Sequence, residues 1–93
     1  MAVNLFSYRK SNTKELKELV EEFLKIKTEQ EMTDFLYGML TPAELIELPN
    51  RLQIVKMLKR GVSQVDIAGK LHVGIATVTR GAKELQKGRF KNV

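Results

Sequence analysis

Apolar residues recur at intervals of three and four along the chain, and no stretch sustains the alternation of apolar and polar residues that marks a half-buried strand. This spacing places the apolar side chains on one face of a helix. The sequence therefore predicts an all-α protein. With 93 residues the chain has the length of one domain and can bury only a modest core, so we expect a single domain that self-associates.

Helix-capping residues indicate where the first two helices begin. A cluster of Ser, Asn and Thr at residues 11–13 predicts a first helix over about 13–26. Thr28, followed by Glu31, fits a capping box and predicts a second helix that ends near Gly38. The apolar positions of these helices, which we expect to form either intrachain core or a dimer interface, are Leu16, Leu19, Val20, Phe23, Leu24, Met32, Phe35, Leu36 and Met39.

The segment "LTPAE" carries the clearest helix-start signal in the chain. Thr41 can cap the helix, Pro42 has the backbone angle suited to the first helical position, and Glu44 can close a capping box. This third helix is expected to kink or restart at Pro49 and to end before Gly61. Its predicted buried face consists of Leu45, Leu48, Leu52, Val55 and Leu58.

The charge of the chain is unevenly divided. Residues 1–50 contain six Lys and Arg against nine Asp and Glu, a net −3, whereas residues 51–93 contain ten against two, a net +8. This excess favours a nucleic acid as partner over the alternative of a solvated lysine-rich face. The sequence has no cysteine and no apolar run of about 18 residues, so we expect a cytoplasmic protein without disulfides, zinc fingers or membrane contact.

Two short helices joined by a tight turn are predicted within residues 63–86. Ser63 can cap the first of them, "QVDIAGKL", in which Ala68 lets the two helices cross closely. In the turn "HVG", His72 stands where a left-handed backbone usually selects glycine, a conformation that histidine tolerates better than most residues. The second helix is "IATVTRGAKEL". The positions expected to fill the core between the helices are Ile67, Leu71, Val73, Ile75, Val78, Ala82 and Leu85.

This pattern is typical of a helix-turn-helix, in which the second helix enters the major groove of DNA and its first residues meet the bases. Small side chains and hydroxyl groups at the start of that helix permit close approach. The residues predicted to face DNA are Gly74, Ile75, Ala76, Thr77 and Thr79. The alternative is a helical hairpin without a ligand.

The N-terminal helices, within residues 12–60, would supply core and dimer contacts, and the basic tail, residues 87–93, is expected to fray.

Four segments resemble the tryptophan repressor family. They are "MLTPAE" at 39–44, "RLQIV" at 51–55, "RG-x-SQ" at 60–64 and above all "GIATVTRG" at 74–81. The resemblance covers about half of the chain. It implies an intertwined homodimer that binds double-stranded DNA and holds L-tryptophan as co-repressor. Because no closing helix follows the motif in this sequence, we expect part of that dimer interface to be missing.

The resemblance also bears on the DNA contacts. Two basic residues of the family's first motif helix correspond to Val65 and Ala68 here. Phosphate contacts are therefore expected to move to Lys70, Lys83 or the tail. Gln64 is retained and can contact a phosphate or a base.

A ligand pocket is implied by the same resemblance. Arg51 and Arg80 would flank the indole, since a guanidinium group stacks on an aromatic face and binds a carboxylate in a bidentate way. Gly81 would give the ring room, and Thr77 would line the pocket. Leu40 and Thr41 would meet the polar end of the ligand.

Three positions depart from the family pattern around this pocket. Glu84 stands where tryptophan-binding members have a serine near the amino group of the ligand, Gly38 replaces a leucine, and Pro49 replaces a glycine. The effector could thus be L-tryptophan, another small molecule or none.

Other classes of function find little support. His72 is the only histidine, the chain has no cysteine, and "GIATVTRG" lacks the Gly-Lys-Ser/Thr ending of a phosphate-binding loop, so we predict that the protein is not an enzyme. No metal site is expected. An RNA-binding or protein-interaction module is a further alternative, but Tyr37 and Phe90 are too scattered to form a base-stacking surface.

Overall fold

The computed structural model describes the backbone of residues 5–93 and the side chains of residues 13–93. This part of the chain contains five helices and no strand, so the prediction of an all-α fold is confirmed. The helices are α1 (Leu5–Lys25), α2 (Glu29–Met39), α3 (Pro42–Lys59), α4 (Gln64–Leu71) and α5 (Ile75–Gln86). No helix among the described residues is long and apolar enough to cross a membrane.

The contacts divide the chain into two units, Met1–Met39 and Leu40–Val93. In the first unit, α1 begins eight residues before the predicted start, and the polar cluster at 11–13 lies inside the helix. Ser, Asn and Thr lower helix stability only slightly, so three of them do not end a helix that the flanking residues favour. The prediction that the cluster caps α1 was wrong.

The second helix begins with the predicted cap at Thr28. The hydroxyl oxygen of Thr28 accepts a hydrogen bond of 3.1 Å from the backbone N–H of Glu31. The rings of Phe23 and Phe35 meet edge to face with their centroids 5.3 Å apart. Much of the predicted apolar face is nevertheless exposed, including 77% of Leu24.

The third helix begins as predicted. The Thr41 hydroxyl accepts a hydrogen bond from the Glu44 backbone N–H at 3.2 Å, and the Glu44 carboxylate accepts one from the Thr41 backbone N–H at 2.9 Å. The helix continues through Pro49, so the expected restart does not occur. It ends at Lys59, and Gly61, with φ +83°, follows the cap, so that the backbone N–H groups of Gly61 and Val62 bond back to the last turn.

The buried face of α3 agrees with the predicted one only in part. Ile54 and Val55 are 1% and 2% exposed, whereas Leu48 and Leu52 remain 40% and 43% exposed. A spacing of three and four shows which residues share a face, but the position of α4 and α5 decides which face is covered. Of the predicted stripe, Val55 is buried and Leu45 and Leu58 are half-buried, whereas Leu48 and Leu52 lie on the uncovered side of α3.

The helix-turn-helix of α4 and α5 packs against α3 around a core of Ile54, Ile67 and Val78. Met57, Leu58, Val62, Ala68, Leu71 and Val73 pack against this core. His72 adopts the predicted left-handed conformation, with φ 55° and ψ 44°. Ile75, predicted to face the core, is the first residue of α5 and is half exposed.

Candidate DNA-reading surface and effector pocket

Local capping chemistry sets the positions of α4 and α5. The Ser63 hydroxyl accepts a 3.2 Å hydrogen bond from the Asp66 backbone N–H and so starts α4. The left-handed His72 ends α4 after two turns and turns the chain toward α5. Gly74 caps α5 without a side-chain hydrogen bond, so the first backbone N–H groups of α5 are left for water or an outside acceptor.

Most of the residues predicted to face DNA are exposed. The start of α5 presents Gly74, Ile75, Ala76 and Thr77, and the side chains of Lys70 and Lys83 are also exposed. Among residues 13–93, neither lysine takes part in a salt bridge. The positive end of the α5 dipole lies next to small side chains, an arrangement that can receive a phosphate group.

Thr79 and Gln64 form a pair that the sequence did not reveal. Thr79, predicted to be exposed, is half-buried, and its hydroxyl donates a 2.8 Å hydrogen bond to the side-chain oxygen of Gln64. This bond links α5 to the first residue of α4. Because the amide oxygen is engaged, the two N–H donors of the Gln64 amide remain for an outside acceptor.

A cavity of about 130 Å³ lies between α3 and α5. It is lined by Arg51, Ile54, Val55, Thr77, Arg80, Gly81, Glu84 and Phe90. Five of the seven residues predicted to bind a ligand are thus brought together. The other two, Leu40 and Thr41, precede α3 and do not line the cavity, and the Thr41 hydroxyl is occupied by the helix cap.

Gly81 has a packing role that the sequence analysis did not identify. A β-carbon at this position would lie 3.0 Å from the Cγ2 methyl group of Ile54. Glycine therefore lets α5 approach α3 closely, and it lines the cavity at the same time.

Glu84 gives the cavity a negative group beside two guanidinium groups. Its carboxylate lies 3.3 Å from the Lys87 ammonium group and 3.5 Å from Arg89 Nε. The hydrogen bond from Lys87, assisted by the charges of Lys87, Arg89 and Arg80, lowers the pKa of Glu84 below its ordinary value of 4.5. The group is therefore a carboxylate at neutral pH.

The prediction that the tail frays was wrong, and with it the role of Phe90 was missed. Residues 87–92 form turns, and the Lys59 ammonium group donates hydrogen bonds to the backbone oxygens of Phe90 and Val93. The half-buried side chain of Phe90 is a wall of the cavity. The one signal in the sequence for this role was a single aromatic residue within an otherwise basic tail.

No group of acidic or histidine side chains among residues 13–93 could hold a metal ion.

Comparison with known protein families agrees with this geometry. The profile of the Trp repressor protein family matches residues 14–92. A Trp operon repressor homolog of Vibrio vulnificus strain YJ016 is 44% identical over 69 residues, which cover 72% of this chain and 68% of the relative. A Trp operon repressor homolog of Xylella fastidiosa strain M23 is 33% identical over 75 residues, 80% of this chain and 82% of the relative. No solved structure gave a significant match. The chain belongs to the Trp repressor family and is a repressor-like regulator.

Proposed function

We propose that the protein is a sequence-specific repressor that reads double-stranded DNA with residues 64–86. The observation that carries this proposal is the helix-turn-helix of α4 and α5, whose second helix starts with small, exposed residues within a strongly basic half of the chain. Such a protein works in the compartment that holds the chromosome, which fits the expected cytoplasmic location.

In the proposed complex the start of α5 lies in the major groove. Gly74 and Ala76 allow its backbone to approach the base edges, while Ile75 supplies an apolar contact. The amide of Gln64, oriented by Thr79, donates to a base acceptor or to a phosphate oxygen. Lys70 and Lys83 neutralise phosphates on either side of the groove.

Substituting Thr79 and Lys83 separates base reading from phosphate binding. Thr79→Val keeps the shape of the side chain but frees the Gln64 amide, so the preference among duplex sequences should change. Lys83→Ala should weaken binding to all duplexes alike and reduce the slope of log K against log salt by about one unit. Lys17→Ala, which removes the same charge from α1, is the matched control. Equal effects of both substitutions on every duplex would contradict the assignment.

The alternative of an RNA-binding module is tested with the same protein. A DNA reader that inserts a helix into the major groove requires a duplex, whereas RNA recognition targets unpaired bases. Tighter binding to single-stranded RNA than to any DNA duplex would favour the alternative.

The cavity between α3 and α5 supports an amino-acid effector, and L-tryptophan is the first candidate. Arg51 and Arg80 form no salt bridge among residues 13–93, so both guanidinium groups are available for a ligand carboxylate. Glu84 offers a carboxylate to an ammonium group, and Ile54 and Val55 offer apolar surface to a ring. The curated relatives are named for the Trp operon, which supports the same ligand.

Fluorescence anisotropy of L-tryptophan measures this binding directly, because the chain contains no tryptophan of its own. We expect saturable binding that is lost in Arg80→Ala and retained in Arg60→Ala, which removes an exposed guanidinium group outside the cavity. Unchanged anisotropy up to millimolar protein would exclude L-tryptophan. The protein would then be a repressor of the same fold that responds to another effector or to none.

We also propose that the repressor is a homodimer. Large apolar side chains are exposed in both units, among them Leu16, Leu24, Ile46, Leu48 and Leu52. Burial of such surface stabilises association. Sedimentation at micromolar concentration should show a dimer, and Leu24→Asp or Leu52→Asp should shift it toward the monomer. A wild-type protein that remains monomeric would contradict the proposal.

A further inference from the structure

Phe90 lies at the boundary between two neighbouring spaces. It lines the cavity of about 130 Å³ between α3 and α5 and also an adjoining groove of about 580 Å³. The other residues shared by the two spaces are Arg51, Val55, Arg80 and Glu84, all of which belong to α3 or α5. Phe90 is thus the one residue that lines both spaces and does not belong to α3 or α5.

The tail is held in this position by defined contacts. Helix α5 ends at Gln86 and is followed by Gly88 at φ +81°. The backbone N–H groups of Gly88 and Arg89 bond back to the carbonyls of Leu85 and Glu84 at 3.0 and 3.3 Å. These two bonds form a Schellman motif, which reverses the chain after the helix. The Lys59 ammonium group then binds the carbonyl oxygen of Phe90 from α3.

The two spaces that Phe90 lines differ in volume. Pockets that enclose a drug-sized ligand have volumes of about 300 to 1,000 Å³. The cavity of about 130 Å³ is smaller than that range, whereas the adjoining groove of about 580 Å³ lies within it. Apolar Ile54 and Val55 line the cavity together with the guanidinium groups of Arg51 and Arg80, so an aromatic carboxylate suits the site once the ring of Phe90 is displaced.

We infer that Phe90 is a specificity-determining residue of the effector pocket, because its side chain occupies part of the space that the ring of an aromatic effector requires. This inference rests on the effector site of the proposed function. Small ligands fit beside Phe90, while an indole-sized ring binds only to molecules in which Phe90 has moved away. The apparent affinity for a large ring is then reduced by the fraction of molecules in that open form.

The test compares wild type, Phe90→Ala and Lys59→Ala with two probes, indole and L-tryptophan. Indole lacks a carboxylate, so its binding reports the apolar space without depending on Arg51 and Arg80. If about one molecule in ten is open, Phe90→Ala lowers the Kd for indole by about tenfold. Lys59→Ala keeps the ring but releases the tail, so it should change the Kd in the same direction by a smaller factor. Tyr37→Ala, which removes an exposed aromatic ring from α2, should leave the Kd unchanged.

The outcomes separate this inference from the effector proposal. Tighter indole binding to Phe90→Ala supports the role of Phe90 even when L-tryptophan does not bind. If Phe90→Ala changes neither the affinity for L-tryptophan nor the affinity for indole, while Arg80→Ala abolishes the binding of L-tryptophan, the inference is overturned and the effector site stands. A failure of both probes to bind any variant would overturn both, provided that far-UV circular dichroism and the thermal midpoint of Lys59→Ala show a folded protein.

Discussion

Replacing Gly81 with alanine sets helix propensity against close packing. Gly81 lies inside α5, where alanine is favoured over glycine by about 1 kcal/mol. The new methyl group would stand 3.0 Å from Ile54 Cγ2, against an ordinary carbon–carbon separation of about 3.5 to 4.0 Å. Ile54 is fully buried against Ile67 and Val78, so a shift of its side chain disturbs the core.

The packing cost should exceed the gain. Added methyl groups in well-packed cores cost about 1 to 3 kcal/mol. Subtracting the gain in propensity leaves a net destabilisation of about 1 kcal/mol, within a range of about 0 to 2 kcal/mol. The methyl group would also narrow the cavity, so Gly81→Ala should bind L-tryptophan less tightly than wild type.

Urea denaturation at a fixed protein concentration measures the free energy of unfolding of this variant. Gly69→Ala is the matched control, because a β-carbon at Gly69 in α4 would meet no atom within 4 Å. We expect the control to gain about 0.5 to 1 kcal/mol from helix propensity alone. If Gly81→Ala is stabilised as much as Gly69→Ala, the close approach of α5 to α3 does not explain the glycine.

Three further substitutions test local features of the fold. Ser63→Ala removes the cap of α4 and should lower the free energy of unfolding by about 1 kcal/mol in urea titrations, and an unchanged value would show that the cap is dispensable. His72→Gly removes the side chain that strains the left-handed backbone, so it should raise the free energy of unfolding by about 1 kcal/mol and the thermal midpoint with it. The hydrogen bond from the Thr41 backbone N–H lowers the pKa of Glu44 below its ordinary value of 4.5, so its contribution is present above pH 4.5 and is lost as the pH falls below that value. Glu44→Gln should therefore show a smaller loss of stability than wild type between about pH 7 and about pH 3, and an identical acid profile would contradict this reasoning.

The parts of the fold that depend on local chemistry could be predicted from the sequence. The caps at Thr41 and Ser63, the glycine end of α3 and the left-handed His72 each involve residues within a few positions of one another. The start of α1 could not be located in this way, because polar residues that favour a cap are also tolerated inside a helix. Capping residues are thus stronger signals when a proline or a second capping partner accompanies them, as at Thr41.

Features that depend on contacts between distant residues were not predictable from periodicity. The covered face of α3 is set by α4 and α5, so Ile54 was missed and Leu52 was wrongly placed in the core. The grouping of Arg51, Arg80 and Glu84 was reached through family resemblance. The hydrogen bond between Thr79 and Gln64 joins residues 15 positions apart. The contact that holds the tail, between Lys59 and Phe90, joins residues 31 positions apart. No local pattern in the sequence reveals contacts at these separations.

Helix α5 carries residues of both proposed sites, because its faces serve different contacts. Val78 is buried against α3 and α4, while Arg80 and Glu84 line the cavity and Thr79 holds Gln64 at the proposed DNA surface. A short helix moves as a unit, so a ligand that changes its packing on α3 also changes the position of its first residues. Coupling of this kind is reciprocal. An effector that raises the affinity for DNA must therefore bind more tightly, by the same factor, when the protein is saturated with DNA.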